Sequence, residues 1–161
     1  MPKLFLNPIG IIRTPHKEPK GTPIQPPAAK GAKGTIEVFE EFVDGLKDLD
    51  GFSHITLLFH FHLSPGPLLQ VAPFMDTAVH GVFATRAPRR PNPIGLSTVR
   101  LAGIDRNILH IEEVDIVDGS PLLDIKPYVP RFDLRDNVRT GWLAARVERL
   151  DTTRDDGRFA Q

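Results

Sequence analysis

Three arginines stand close together in a proline-rich turn, at Arg86, Arg89 and Arg90. No acidic residue lies between Asp76 and Asp105, so nothing nearby in the sequence neutralises these charges. Prolines at positions 88, 91 and 93 restrict the backbone here, which makes the turn stiff. Guanidinium groups bind carboxylates and phosphates through paired donors. The turn therefore favours a site for an anion or a nucleotide over an ordinary solvated loop.

A second group of candidate side chains is His60 and His62, at alternate positions of an apolar run. Alternation places both imidazoles on one side of a strand, an arrangement found in some metal sites. The sequence offers no second short-spaced ligand pair. It also holds no cysteine, which excludes disulfides, thiolate zinc sites and cysteine nucleophiles. A histidine that lines a pocket is therefore favoured, and a metal-dependent enzyme that uses both histidines stays the alternative.

The third group follows the turn Asp118-Gly-Ser. Asp124 and Lys126 are two residues apart and share a strand face, with Tyr128 close behind. Together they supply an acceptor, a donor and a phenol, which suits an adenosine pocket or acid–base chemistry. A purely structural ion pair between Asp124 and Lys126 is the alternative.

Short apolar runs separated by turn residues predict the elements that position these groups. Strands are expected over 4–12, 34–39, 53–62, 79–85, 96–104, 108–117 and 122–125. The run 53–62 is almost continuously apolar, which predicts burial on both faces. A helix is expected over 137–150, although Gly141 weakens it, and the last ten residues are expected to fray. About seven strands with short helices indicate a mainly β fold, and closure into a barrel would remove exposed edges.

Composition narrows the classes of function. The 161 residues favour a single core, and 20 basic and 20 acidic side chains cancel, which argues against a general nucleic-acid coat. No Gly-x-Gly-x-x-Gly follows a strand, so a Rossmann site is not indicated. No run approaches the roughly 18 apolar residues of a membrane helix, and no signal peptide is recognisable. We expect a soluble cytoplasmic protein with no membrane partner.

Three motifs carry a family resemblance: GVFATRAPRRPNPIGLS at 81–97, DGSPLLDIKPY at 118–128 and GFSH at 51–54. They closely resemble the TsaA-like family, whose best-known members are the TrmO tRNA methyltransferases. The likeness covers about residues 5–135 and implies a single β-barrel rather than a Rossmann sandwich. It also implies a homodimer that binds S-adenosylmethionine near its interface. The implied reaction is N6-methylation of threonylcarbamoyladenosine 37 in tRNA, beside the anticodon.

The resemblance also implies which residues form the site. The cofactor pocket is expected to involve eleven residues, namely Pro23, Ile24, Gln25, His62, Leu63, Arg86, Leu96, Val117, Asp118, Gly119 and Ser120. Contacts to RNA or to a partner subunit are expected at Arg89, Arg90, Asn92 and Lys126. The methylated nitrogen must lose a proton, for which Asp118, Asp124 and Tyr128 are the candidate acceptors. No metal is expected in this pocket.

The chain departs from the family pattern in three places, one of which is that the additional C-terminal domain of some bacterial members is not recognisable in this sequence. Leu63 stands where a polar residue often follows the histidine, and Arg89 stands where an aromatic residue is common. The domain is expected to span residues 1–136, with 137–161 as a helical or tail extension. Besides the methyltransferase and the metal-dependent enzyme, a non-catalytic protein that binds S-adenosylmethionine or RNA remains a third hypothesis.

Overall fold

Short alternating apolar runs fold into eight strands, six of which close into an antiparallel barrel. The computed structural model describes residues 1–161. The strands are β1 (Gly10–Arg13), β2 (Lys33–Val38), β3 (His54–His60), β4 (Gln70–Val71), β5 (His80–Gly81), β6 (Ile94–Asp105), β7 (Ile108–Glu112) and β8 (Ser120–Pro127). The order around the barrel is β1–β2–β7–β6–β3–β8, and β8 pairs back with β1, so no edge is left open. The predicted mainly β barrel with short helices is confirmed.

The barrel core consists of side chains at alternate strand positions. In β3, Ile55, Leu57 and Phe59 are buried, whereas Thr56 and Leu58 lie on the outer face and are partly exposed. The prediction that this strand is buried on both faces is wrong, because a barrel strand turns only one face to the interior.

The connection from β7 to β8 leaves the sheet early. β7 ends at Glu112 rather than near residue 117, because Glu113 has a φ of 62° and cannot continue a strand. The chain then runs without regular structure to β8, although Val114 and Ile116 are buried. The hydroxyl of Thr14 donates to the carbonyl of Ile116 at 2.7 Å and fixes this connection to the end of β1.

Two predicted strands are shorter than expected. The strand over 4–12 reduces to β1, and Leu4 and Phe5 are exposed. Pro8, which has no N–H to donate, interrupts that run. The strand over 79–85 reduces to β5, followed by a 3₁₀ turn over Val82–Ala84. The N–H of Thr85 bonds to the carbonyl of Val82 at 3.1 Å, which closes a turn instead of a ladder.

The helices are short. The 3₁₀ helices are Pro26–Ala29, Glu40–Leu46, Leu49–Gly51, Val82–Ala84, Gly141–Leu143 and Val147–Thr152, and the α-helix α1 is Pro130–Asp133. The long helix predicted over 137–150 is wrong, because Asn137 and Gly141 have φ values of 55° and 56°, which an α-helix does not accommodate. None of these helices has the length and apolar character that crossing a bilayer requires.

Residues 137–161 pack against the β4–β5 sheet and the 3₁₀ turn that follows it. The indole N–H of Trp142 donates to the carbonyl of Ala84 at 2.9 Å, and the indole stacks on His80 with ring centres 4.7 Å apart. Phe159 is buried in a second small core, together with Val71, Val82 and Ala87. The last ten residues, predicted to fray, are therefore packed against the domain.

Candidate functional site

A cavity of about 300 Å³ opens at the end of the barrel where β3 stops and β6 and β8 begin. We call it the end cavity. Six stretches of chain contribute to its wall, with Phe74 beside them: 19–25, 59–64, 85–90, 94–97, 115–120 and 155–160. Because these stretches are far apart in the sequence, the cavity exists only when the barrel has closed.

The end cavity gathers nine of the eleven residues that the sequence assigns to a cofactor. They are Pro23, Ile24, Gln25, His62, Leu63, Arg86, Leu96, Val117 and Ser120. The two exceptions are Asp118 and Gly119, which lie in the turn between Val117 and Ser120. Asp118 instead faces a neighbouring cleft that also contains Arg13 and Lys17.

Hydrogen bonds from a neighbouring loop fix the turn at Asp118. Its carboxylate accepts from Lys17 Nζ at 2.9 Å and from the backbone N–H of Thr14 at 3.0 Å. These bonds hold the pKa of Asp118 below its ordinary value. Gly119 follows with a φ of 78°, a conformation that glycine adopts without strain. Asp118 therefore positions the turn that shapes the cavity, and its carboxylate is engaged outside it.

His62 forms the wall beside this turn. Its Nδ1 lies 3.3 Å from the hydroxyl of Ser120, which also donates to the carbonyl of Val117 at 2.7 Å. Burial and the neighbouring His60 lower the pKa of His62. The imidazole is therefore neutral near pH 7 and offers one donor and one acceptor.

The histidine pair at His60 and His62 does not extend into a metal-ligand cluster. No group of three or more histidine, aspartate or glutamate side chains is arranged to hold an ion. The geometry thus gives no support to the metal-dependent alternative, which needs at least a third ligand.

Arg86 joins two walls of the end cavity. Its guanidinium donates to the side-chain oxygen of Gln25 at 3.1 Å. This bond leaves the other guanidinium N–H groups and the amide nitrogen of Gln25 as donors for a bound molecule. The two side chains can therefore act together on an anionic or carbonyl group of a ligand.

Arg89 and Arg90 turn towards their own chain. Arg90 Nη1 lies within hydrogen-bonding distance of the carbonyls of Val82, Thr85 and Ala87, at 3.0, 2.8 and 3.4 Å. Arg89 donates to the carbonyls of Gly66 and Gln161, at 2.9 and 2.8 Å. Both arginines brace the proline-rich turn, and Asn92 is exposed on the same turn. Their contact with RNA or a partner subunit stays a prediction.

The other candidates for acid–base chemistry lie outside the end cavity. Asp124 pairs with Lys126 at 2.8 Å on β8, which is the structural ion pair that the sequence left as an alternative. Tyr128 follows the far end of β8, with its ring centre 6.4 Å from that of His54. At about 3.3 Å per residue, Tyr128 is roughly 26 Å along the strand from Ser120. The fold does not bring these side chains to the cavity of the same protomer.

Two features of the wall were missed by sequence reasoning. Asp115 contributes a carboxylate, and its only sequence signal is an acidic residue within the apolar run 114–117. The segment 155–160 contributes Phe159, whose ring meets Phe74 edge-on with centres 5.0 Å apart. Arg158 donates to the carbonyl of Pro73 at 2.9 Å and secures the same segment.

Comparison with known proteins gives concordant matches. The profile of the tRNA-methyltransferase O N-terminal domain matches residues 11–134. A probable S-adenosyl-L-methionine-binding protein of Pyrococcus abyssi is 62% identical over 152 residues, which cover 94% of this chain and 83% of that protein. The tRNA (adenine(37)-N6)-methyltransferase of Escherichia coli is 41% identical over 132 residues, which cover 76% of this chain and 56% of the enzyme.

The fold has solved counterparts. A crystal structure of TrmO from Pseudomonas aeruginosa matches with a TM-score of 0.74 and 42% identity, over 86% of this chain and 62% of that chain. This chain therefore spans less than two thirds of the length of the Escherichia coli and Pseudomonas proteins.

Proposed function

We propose that this chain, which belongs to the tRNA-methyltransferase O family, transfers a methyl group from S-adenosylmethionine to an adenosine of tRNA. Membership follows from the family profile over residues 11–134. The Pyrococcus relative is described as binding S-adenosylmethionine, and the Escherichia coli relative as a tRNA methyltransferase. We further propose that the acceptor is N6 of threonylcarbamoyladenosine at position 37.

The observation that carries this proposal is the composition of the end cavity. Nine residues assigned to the cofactor from family motifs, scattered from Pro23 to Ser120, line one space. Motif residues that served unrelated structural roles would have no reason to converge in this way.

The side chains of the end cavity fit S-adenosylmethionine chemically. Leu63, Leu96 and Phe61 supply apolar wall for an adenine ring and a methylene chain. Arg86 supplies donors for a carboxylate. Asp115 supplies a buried acceptor oxygen that has no hydrogen-bond partner in the protein. These three kinds of group match the apolar, anionic and cationic parts of the cofactor.

The reaction needs little covalent help from the protein. S-adenosylmethionine supplies an activated methyl group. A nitrogen attacks the methyl carbon in line with its bond to sulfur, and this bond breaks as the new N–C bond forms. The chain's contribution is to bind, to orient and to exclude water, through the apolar wall and the bridge between Arg86 and Gln25. N6 gives up its proton as the new N–C bond forms. We propose His62 as the acceptor, because it is neutral near pH 7 and lines the cavity.

A basic cleft beside the end cavity supports an RNA substrate. Arg13, Lys17 and Lys33 line this cleft, which meets the cofactor site at the Asp118 turn. Asp118 and Glu112 neutralise part of the charge through ion pairs with Lys17 and Lys33, at 2.9 and 3.8 Å. Phosphates of an anticodon loop would find cations there within reach of the cavity. A tRNA substrate also implies a cytoplasmic site of action.

We infer a homodimer from the family resemblance, and an exposed apolar groove supports it. The groove is lined by Phe83, Leu96 and Trp142 and shares Arg86 and Gln25 with the end cavity. Phe83 exposes 75% of its surface and Leu96 exposes 47%. A partner subunit seated in this groove would bury both side chains beside the cofactor.

Two measurements test the proposed function. Calorimetry with S-adenosylmethionine measures binding, and mass spectrometry of tRNA nucleosides measures methyl transfer. We expect methylation of tRNA that carries threonylcarbamoyladenosine and none of the same tRNA with unmodified adenosine 37. Methylation of both tRNAs would overturn the assigned acceptor. Binding without transfer to any tRNA would overturn the enzyme and favour a non-catalytic binding protein.

A matched pair of variants tests the role of His62. We expect His62→Gln to lower the rate of methyl transfer under single-turnover conditions by 10²-fold or more, the order expected for a lost general base. His54→Gln is the control, because His54 lies at the opposite end of β3. Equal rates in the two variants would exclude His62 as the proton acceptor.

A further inference from the structure

Asp115 is an unusual carboxylate because it lies in the wall of a ligand cavity with one buried oxygen that has no protein partner. It occupies the irregular connection between β7 and β8, flanked by the buried Val114 and Ile116. Its Oδ1 is inaccessible to solvent and has no hydrogen-bond partner. Buried polar atoms are nearly always paired in native proteins, so an orphaned oxygen beside a cavity points to a ligand.

None of the other charged or titratable side chains of the end cavity donates a hydrogen bond to Oδ1 of Asp115. They are His62, Arg86, Arg90 and Asp155. Arg86 is close enough to influence Asp115 electrostatically, but its guanidinium donates to Gln25. Arg90 faces three backbone carbonyls of its own turn. His62 is largely neutral, and Asp155 is itself an acid.

The electrostatic consequence is a carboxyl group that ionises reluctantly. Burial raises the pKa of Asp115 to about 7, and a hydrogen bond from Ser97 and the charge of Arg86 only partly oppose this effect. Without a ligand, part of the carboxyl population is therefore protonated at neutral pH. A cation placed against it would favour the ionised form and drive off the remaining proton.

We propose that Asp115 pairs with a positively charged group of S-adenosylmethionine and thereby selects the charged cofactor over uncharged adenosine thioethers. The proposal rests on cofactor binding in the end cavity, as the proposed function requires. Two groups of the cofactor have this charge, the methionyl ammonium and the sulfonium. The ammonium would donate a hydrogen bond to the orphaned oxygen, whereas the sulfonium would lie against it only as an opposite charge. In both cases Arg86 on the adjacent wall is available to the cofactor carboxylate.

The test compares Asp115→Asn with the wild-type chain against three ligands. S-adenosylmethionine carries both cations, S-adenosylhomocysteine carries only the ammonium, and 5′-methylthioadenosine carries neither. Asparagine keeps the shape of the side chain and removes its charge. Asp105→Asn is the control, since Asp105 is exposed at the far end of β6.

The pattern of losses identifies the partner. We expect the variant to bind S-adenosylmethionine more weakly by on the order of 10- to 100-fold, the usual effect of a lost charged contact. Its affinity for 5′-methylthioadenosine should not change. An equal loss of affinity for S-adenosylhomocysteine identifies the ammonium as the partner of Asp115. An unchanged affinity for S-adenosylhomocysteine identifies the sulfonium. Unchanged affinity for all three ligands, or an equal loss for all three, overturns the proposal.

Proton release provides a second measurement on the wild-type chain, which does not depend on the variant folding. We expect S-adenosylmethionine to displace a fraction of a proton near neutral pH, from calorimetry in buffers of different ionisation heat. Its affinity should rise from pH 6 to about pH 7.5. Above that pH it should level off if the sulfonium is the partner but fall if the ammonium is, because an α-amino group loses its proton near pH 8. The same titration with 5′-methylthioadenosine should release no proton from this group. Absence of release with S-adenosylmethionine at both pH 6 and pH 7 would also overturn the proposal.

Failure of the proposed function gives a different result. If the wild-type chain binds no S-adenosylmethionine, both proposals fall together. If it binds and releases the proton but methylates no tRNA, the enzyme assignment fails and the role of Asp115 stands.

Discussion

The guanidinium of Arg86 donates to the side-chain oxygen of Gln25 at 3.1 Å and links loops that lie 61 residues apart in the chain. Both residues also line the end cavity. The bond therefore holds the cavity wall together and leaves the other guanidinium N–H groups and the amide nitrogen of Gln25 as donors for a ligand.

Arg86→Ala should weaken S-adenosylmethionine binding by on the order of 10- to 100-fold, because it removes a charged donor as well as the bridge. Gln25→Ala should cost less, on the order of a few-fold, since it removes a neutral partner and leaves the guanidinium in place. Calorimetry measures both. Arg100→Ala is the matched control, because Arg100 is an exposed arginine of β6 that pairs with Glu112 away from the cavity. Equal affinities in Arg86→Ala and Arg100→Ala would remove Arg86 from the cofactor site.

Phe159 should link two properties of the chain, the ordered packing of the segment 154–161 and the affinity for S-adenosylmethionine. Phe159 is buried against Val71, Val82 and Ala87 and also lines the end cavity. Phe159→Ala should destabilise the packed state of this segment by about 3 kcal/mol. The segment should then be cut faster in limited proteolysis, and the affinity of the chain for S-adenosylmethionine should fall. Leu134→Ala, at an exposed position, is the control. Proteolysis at the wild-type rate in Phe159→Ala would contradict this assignment.

Local sequence signals predicted most of the strands, whereas the closed barrel was implied by the family resemblance, because only β1–β2 and β6–β7 among its pairings join consecutive strands. The hairpin at 105–107 and β6 are examples, since alternating apolar residues and a polar turn specify both. Motif recognition placed nine of its eleven predicted cofactor residues in the cavity wall. The place of Asp115 and Phe159 in the cavity wall was not predicted, because it depends on contacts with distant residues. Nothing in the local pattern shows that Phe159 contacts Val71 and Val82, or that one oxygen of Asp115 is buried without a partner.

The ion pair between Asp76 and His80 should make stability depend on pH below 4. Oδ2 of Asp76 lies 2.8 Å from His80 Nε2, and the hydrogen bond with His80 is the main reason that the pKa of Asp76 falls from 3.8 to about 2. A carboxyl whose pKa is depressed by folding adds stability above its unfolded pKa and loses it as the pH falls towards the folded value.

The measurement is the Tm of the wild-type chain and of Asp76→Asn between pH 6 and pH 2. The wild-type chain should be more stable at pH 6, and the difference in Tm should shrink between about pH 4 and pH 2. Because Asp118 and Asp156 also have lowered pKa values, only the difference between the two proteins isolates Asp76. A difference that stays constant with pH would show that the pair contributes nothing through ionisation.

The apolar groove predicts a charge-sensitive dimer. Phe83→Glu would place a carboxylate in the apolar part of the proposed interface, where it would lose hydration. We expect sedimentation to show a dimer for the wild-type chain and a monomer for this variant. Phe132→Glu is the control, because Phe132 is similarly exposed, at 67%, but lies on α1 outside the groove. A wild-type monomer, or a dimer unaffected by Phe83→Glu, would refute this interface.

Gly95 and Gly103 form a matched pair on β6 that tests how closely the cavity wall is packed. A Cβ atom on Gly95 would overlap the ring of Phe59, whereas a Cβ atom on Gly103 would meet nothing within 4 Å. Phe59 is buried, packs edge-on against Phe61 at 5.2 Å and lines the end cavity. Gly95→Ala must therefore displace this ring, at a cost of about 1–3 kcal/mol in the free energy of unfolding.

The same displacement should lower the affinity for S-adenosylmethionine, since the Phe59 ring would move within the wall of the end cavity. Gly103→Ala should leave both stability and affinity close to wild type, because its methyl group enters open space. Chemical denaturation and calorimetry on the two variants separate the effects. If the two alanines behave alike, the penalty arises from substituting glycine in β6, and the close approach of Gly95 to Phe59 does not control the cavity.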